Sequence, residues 1–218
     1  MKENNKIWLQ VPTEVVRNIG FNIDEKSFAV YAYLLFRKFK AFNVNEIDMV
    51  LKDIKLATNI TDNRTLKKCF LVLYEQGLLQ NKICSLPVNN PIKFIMTNPC
   101  KKDYFTQLPL ELMKGIDKIG LIGFRLMYYY ESYINRKNVT KQFCYPSYET
   151  IQEDIDISNF SVTRYNKLLV KEKLITITKH KVVYDPFSDS GLERFNNHYV
   201  VNLNNIKFNK EERSDLHD

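Results

Sequence analysis

Two stretches of this chain carry residues whose types and spacing suit the reading of a nucleic acid. In Ser147–Ile175, two short amphipathic patterns flank a tight turn. In the second pattern Val162, Tyr165, Leu168 and Leu169 fall on one stripe at helical spacing, which leaves Asn159, Phe160, Ser161, Thr163, Arg164 and Lys167 off it. In the corresponding stretch Thr61–Gly77, 96 positions earlier, the stripe is Leu66, Cys69, Val72 and Leu73, and Asn63, Arg64, Lys67 and Lys68 lie off it. Arginine can pair two donors with guanine O6 and N7, asparagine can pair with adenine, and an aromatic ring can meet a thymine methyl. Lys67 and Lys68 suit phosphates, which fix register without carrying sequence information, and Lys167 lies one turn on from the front of the second helix. The major groove admits one helix, so a helix with a polar, basic front and an apolar back is what this chemistry needs. Two amphipathic helices in any α-rich domain would use the same residues, and a phenylalanine placed like Phe160 more often folds back into the core.

The elements that must position these helices can be read from their ends. Ser147 follows Pro146 and has Glu149 and Thr150 in its first turn, so its hydroxyl can cap a helix whose inner face holds Ile151 and Ile155. Ser158 can cap the next helix in the same way. Leu174–Thr178 then alternates like a strand, 181–184 continues it, and His198–Leu203 can return as its partner. Helix, helix, hairpin is the order of a winged helix. The span 185–197, rich in Gly, Pro, Ser and Asn, reads as a loop. Flanked by Lys179, His180, Lys181 and Arg194, it could lie on a phosphate backbone or in a minor groove, or be a solvated loop with incidental charge.

Earlier in the chain, Asn45–Leu51 alternates as a short strand, and Asp53 suits a helix cap with Ile54 and Ala57 on the inner face. Gly77 suits the left-handed conformation that ends a helix. Leu78–Ile83 then starts a wing strand, Pro87–Pro91 turns, and Ile92–Met96 returns.

The same unit occurs twice. Ile7–Arg17 aligns, 97 positions on, with Tyr104–Lys114, so that Gln10 and Gln107, Pro12 and Pro109, and Glu14 and Glu111 coincide. The prolines suit the first turn of a short helix. Phe28–Phe39 and Phe124–Ile134 are long helical patterns, apolar over most of their circumference, as expected of helices buried on more than one side. The run Tyr128–Tyr130 cannot point entirely inward and reads either as core plus contact between domains or as a dimer surface. The expected fold is α+β, with two tandem winged-helix domains over residues 1–98 and 99–209 and a flexible tail, 210–218. Asn98–Asp103 would be a short basic connector.

Composition narrows the function classes. With 44% hydrophobic and 13% aromatic residues in 218, the chain has ample core, and no apolar run approaches the roughly 20 residues that span a bilayer. Its start, Met1–Lys6, lacks the apolar block of a secretion signal, so a cytoplasmic protein with no membrane partner is expected. Cys69, Cys84, Cys100 and Cys144 are scattered, which disfavours a metal site and predicts free thiols. The net charge of +7 suits a polyanion without demanding one, and residues 1–98 alone hold 14 Lys/Arg against 9 Asp/Glu. His180, His198 and His217 form no His-x-His, and no Gly-x-x-x-x-Gly-Lys-Ser/Thr loop is present. Glu153, Asp154 and Asp156 read as a solvated polar face rather than a nuclease cluster. Neither an enzyme activity nor a cofactor is expected.

Both units resemble the N-terminal winged-helix domain of RepA-type plasmid replication initiators of low-GC Gram-positive bacteria, and the related helix-turn-helix modules of phage replication proteins. In the second unit the resemblance is carried by Phe105–Leu112, the aromatic helix from Phe124, and Tyr145–Ile151 leading into Ser158–Ile175. It implies a sequence-specific double-stranded DNA-binding protein that occupies repeated origin sites and engages host replication proteins. A transcription regulator of a mobile element uses the same module and would engage transcription proteins. A homodimer, and a winged helix that serves only protein contacts, are the further alternatives. The chain has no obvious third, host-interacting domain after residue 203, a departure from the initiator pattern.

Overall fold

Two strands that carry the repeated sequence pair with each other and tie the halves together. In the computed structural model, which describes residues 6–180 and 196–208 and the backbone of 183–184 and 192–193, strand β1 (Trp8–Pro12) runs antiparallel to β4 (Phe105–Pro109) with Gln10 opposite Gln107. These glutamines occupy the same position of the repeat, so an approximate two-fold axis passes between them. The bonds just outside the ribbon obey it: Thr13 N–H donates to Tyr104 O, and its counterpart Leu110 N–H donates to Ile7 O, both at 2.8 Å. Alternation turns Leu9, Val11, Thr106 and Leu108 inward and Trp8, Gln10, Phe105 and Gln107 outward.

The first half continues with α1 (Thr13–Val16), α2 (Glu25–Lys40), β2 (Glu46–Met49), α3 (Leu51–Thr58), α4 (Asn63–Glu75) and β3 (Ile92–Ile95). The second half follows β4 with α5 (Glu111–Lys114), α6 (Ile116–Tyr133), α7 (Tyr148–Ile155), α8 (Asn159–Lys171), β5 (Ile175–Thr178), β6 (Val183–Tyr184), β7 (Leu192–Glu193) and β8 (His198–Val201). The result is an α+β chain with small antiparallel sheets. Among the described residues no helix is long and apolar enough to cross a membrane.

The central helices α2 and α6 pack against each other. Asp24 opens α2 by accepting from Ser27 N–H at 2.6 Å, and every residue from Ser27 to Leu34 is buried. The Phe28 ring lies 5.9 Å from its counterpart Phe124 and 5.4 Å from Tyr128. One continuous apolar core therefore runs through both halves, from Leu9 to Ile206.

Tyr128, Tyr129 and Tyr130 are all fully buried, contrary to the expectation that they cannot all point inward, and so they form no dimer surface. Each hydroxyl finds its acceptor in a different element: Leu9 O at 3.1 Å, Asp154 at 2.6 Å and Asn166 at 2.9 Å. Satisfied hydroxyls make three consecutive inward tyrosines tolerable. Beside them Arg125 is also fully buried, its guanidinium 4.0 Å above the Phe28 ring. It donates across the halves to Val15 O and Asn18 Oδ1, and burial lowers its pKa to about 9.

Other expectations need correcting. Asp53 caps nothing: Val50 precedes α3 without a side-chain cap, and Asp53, inside the first turn, lies 3.6 Å from Arg37. Pro12 occupies the position before α1 rather than its first turn. Leu78–Ile83 is not a strand, since Leu79 alone bridges to Met96. The Asn81 side chain takes the backbone's role there, donating to Lys93 O and accepting from Ile95 N–H, both at 2.8 Å. The first half instead pairs β2 with β3, and the second pairs β5 with β8, with a single Cys144–Tyr199 bridge among the described residues where β2 has its counterpart. The span 185–197 is not wholly loop, for β7 within it pairs with β6, Val183 opposite Glu193.

Candidate nucleic-acid interface

The two helix pairs are built alike, residue for residue. Helix α3 ends at Asn59 (φ 57°) and α7 at its counterpart Asp156 (φ 54°), both left-handed. Each is followed by a buried isoleucine, Ile60 or Ile157, which pins the turn to the core. Asp62 then caps α4, accepting from Thr65 N–H and Thr65 Oγ1 at 2.7 Å each. Ser158 caps α8, accepting from Ser161 N–H at 3.3 Å. The second turn is one residue shorter, so the offset falls from 97 at α3 and α7 to 96 at α4 and α8, and both α4 and α8 are 13 residues long.

Their backs are tied down differently from the sequence stripe. Leu66, Cys69, Phe70 and Leu73 bury α4, with the Phe70 ring 5.1 Å from Phe94. Val72 is only half-buried. In α8 the buried residues are Val162, Asn166 and Leu169, while Tyr165 and Leu168 are half-buried. The reason Asn166 turns inward is the Tyr130 hydroxyl, which donates to its side chain at 2.9 Å while the Tyr130 ring stacks 4.5 Å from Tyr199. Tyr165 lies over Gly120, where α6 is interrupted at φ +70°. A Cβ at that glycine would come within 2.9 Å of the Tyr165 ring, so a side chain there would displace that ring and would also be strained by the positive φ.

The supporting helix α7 is held to α6 by a carboxylate. Asp154 accepts from Tyr129 at 2.6 Å and from Tyr133 at 2.9 Å, so it anchors a helix rather than belonging to a freely solvated face. Arg17 of the first half stacks 3.7 Å above the Tyr133 ring and donates to Ser132. The angle of the second helix pair is thereby tied to the first half.

The fronts face water. Asn63, Arg64, Lys67 and Lys68 on α4 are exposed, as are Asn159, Arg164 and Lys167 on α8. Phe160 does not fold back into the core and is 78% exposed. Ser161 and Thr163 are half-buried, and Ser161 Oγ accepts from Ser158 Oγ within the cap at 3.1 Å, so these two are poorly placed to reach a base. Lys179 is exposed just beyond β5. Lys181 and Arg194 lie outside the described residues.

Three cations that sequence reasoning missed join this surface. Lys171 is exposed on the same α8 stripe as Arg164 and Lys167, at a spacing of three and then four residues that the sequence could have yielded. Lys118, from the start of α6, lines the same shallow groove as Arg164, Lys167 and Lys171. Lys173, which adopts φ 58° just after α8, lines a neighbouring groove with Lys167 and Lys179. No sequence spacing links Lys118 to α8; only the packing of α6 on α8 does.

Electrostatics separate the two caps. Hydrogen bonds from the Thr65 side chain and backbone hold the Asp62 carboxyl below its ordinary pKa of 3.8. Ser158 has no charge to lose. What the assembled surface can do is donate hydrogen bonds and positive charge to an extended polyanion. No protein-family model, no curated protein and no solved structure matches the chain.

Proposed function

We propose that the chain is a sequence-specific double-stranded DNA-binding protein of a plasmid or phage, made of two winged-helix domains, residues 1–98 and 99–209. In this reading α4 and α8 enter the major groove. Arg64, Asn63, Arg164, Asn159 and Phe160 meet base edges, while Lys67, Lys68, Lys118, Lys167 and Lys171 meet phosphates. One observation carries it: two helices of equal length, each closed by a side-chain cap and tied by its back to a central helix, present exposed polar and cationic fronts. The role as a replication initiator acting in the cytoplasm with host replication proteins rests on the family resemblance. A second reading, a module for protein contacts alone, draws on Leu71 and Tyr74, which are 36% and 39% exposed on α4.

An electrophoretic shift with random duplex separates them. At about 50 mM salt, where counterion release strongly favours binding, the proposal expects retardation that weakens steeply as salt rises. No retardation would overturn it in favour of the protein-contact module. Footprinting the DNA beside the gene then divides the roles: an array of repeated sites fits an initiator, and a lone site over the promoter fits a transcription regulator.

A further inference from the structure

The ribbon fixes the direction in which the two helices would read. A symmetric contact between two copies of a unit is recognised when equivalent residues face each other across it. Gln10 faces Gln107, its repeat counterpart, and Gln10 Nε2 donates to Gln107 Oε1 at 3.3 Å. Trp8 faces Pro109, and their counterparts Phe105 and Pro12 also face each other. The paired backbone bonds Thr13 to Tyr104 and Leu110 to Ile7 repeat the relation, as does the Phe28–Phe124 contact between the central helices. Helix α4 packs on α2, and α8 packs on α6. The axis that exchanges the central helices therefore exchanges α4 with α8. The halves are arranged as the two subunits of a dimer are, within one chain.

A protein two-fold axis is mirrored in the DNA as inversion of the half-sites. Resting on the DNA-binding reading above, we infer that one chain occupies a composite site of two unlike half-sites in inverted orientation. The half-sites are unlike because the reading fronts are: along the exposed stripe Arg64, Lys68, Leu71 and Glu75 stand where α8 has Phe160, Arg164, Lys167 and Lys171. One chain suffices for both halves, so the complex is one chain to one site.

Unlike half-sites hide their own orientation, so the test makes the fronts alike. Arg64→Phe, Lys67→Thr, Lys68→Arg, Leu71→Lys and Glu75→Lys together give α4 the front of α8, all at exposed positions. From random duplex the unaltered chain is first used to select its site, and Arg164→Ala identifies the α8 block. The altered chain is then offered two copies of that block, inverted or direct, over a range of centre spacings around one helical turn, ~10 bp. The inference expects the inverted pair to bind at least tenfold tighter than the best direct pair, at a stoichiometry of one chain. A preference for the direct pair, equal binding of both, or two chains on one inverted pair would overturn it while leaving DNA binding intact. Failure to retain any duplex at low salt would overturn the DNA-binding reading itself. Should the altered chain not fold, a DNA-cleaving probe on Asn63→Cys or Asn159→Cys, in a Cys84→Ser, Cys100→Ser background, gives the same answer. Cuts related by a dyad, on opposite strands, support inversion; cuts offset along one strand contradict it.

Discussion

Helices α4 and α8 share length, capping position, left-handed turn and a buried isoleucine before the cap, yet differ at both faces. On the inner face Phe70, packed on Phe94, is replaced by Asn166, bonded to Tyr130. On the outer face the cations of α4 cluster in its first two turns, whereas those of α8 continue to its end as Arg164, Lys167 and Lys171. The backbone frame has been kept while both surfaces were rewritten. Positions that set the frame and positions that set recognition are thus separate, and substitution can test each alone.

The largest effect is expected where the inner faces differ. Phe70→Ala should cost about 3–5 kcal/mol in urea unfolding, because a ring is lost from a filled core. Asn166→Ala should cost less, about 1–3 kcal/mol, chiefly by leaving the Tyr130 hydroxyl buried without its acceptor. Combining it with Tyr130→Phe should recover part of that loss. If Asn166→Ala alone costs nothing, the polar anchor contributes nothing to the frame.

The outer faces should divide by role. Arg164→Ala is expected to cost ~1–3 kcal/mol at one base position of a selected site, with other positions unaffected. Lys67→Ala should weaken binding to all sequences and lower the salt slope by about 1. Leu71→Lys, which supplies the cation α8 has at Lys167, should raise that slope by a similar amount, as measured by titrations at several salt concentrations.

Arg125 sharpens the comparison of the central helices, since its counterpart in the first half is Ala29. Among the described residues its Nε and Nη1 have no hydrogen-bond partner, so Arg125→Met should be tolerated within about 1 kcal/mol or raise stability, as replacement of buried charge by apolar volume often does.

The smallest effect concerns the caps. A carboxyl whose folded pKa is depressed contributes stability that is complete above its unfolded pKa and is lost as pH falls through the folded value. For Asp62 that window opens below about pH 4, its ordinary value being 3.8. On acidification, hydrogen exchange at Thr65 N–H should accelerate before that at Ser161 N–H, whose acceptor is a serine hydroxyl.

Much of this frame was legible. The capping serines, Ser147 and Ser158, the duplicated Gln-Pro-Glu segment and the wide apolar faces of α2 and α6 each follow from local residue chemistry. What was not legible depends on partners distant in sequence. Tyr128–Tyr130 are inward because Leu9, Asp154 and Asn166 accept from them, and periodicity has no means of showing that. The stripe Val162, Tyr165, Leu168 and Leu169 omits Asn166, because an asparagine gives no apolar signal and its inward partner, Tyr130, lies 36 residues away. Asn81 replaced a strand because its amide reproduces two backbone bonds. At the surface, Lys118 joins α8 only through the packing of α6 on α8.

The central claim, that α4 and α8 together form the DNA-facing surface, is tested most directly by chemical acetylation of lysines in the free chain and in its complex with a selected duplex, read by mass spectrometry. Lys67 and Lys68 on α4, Lys167 and Lys171 on α8, and Lys118 should all lose reactivity in the complex. Lysines of both helices that remain as reactive as in the free chain while duplex is bound would contradict it.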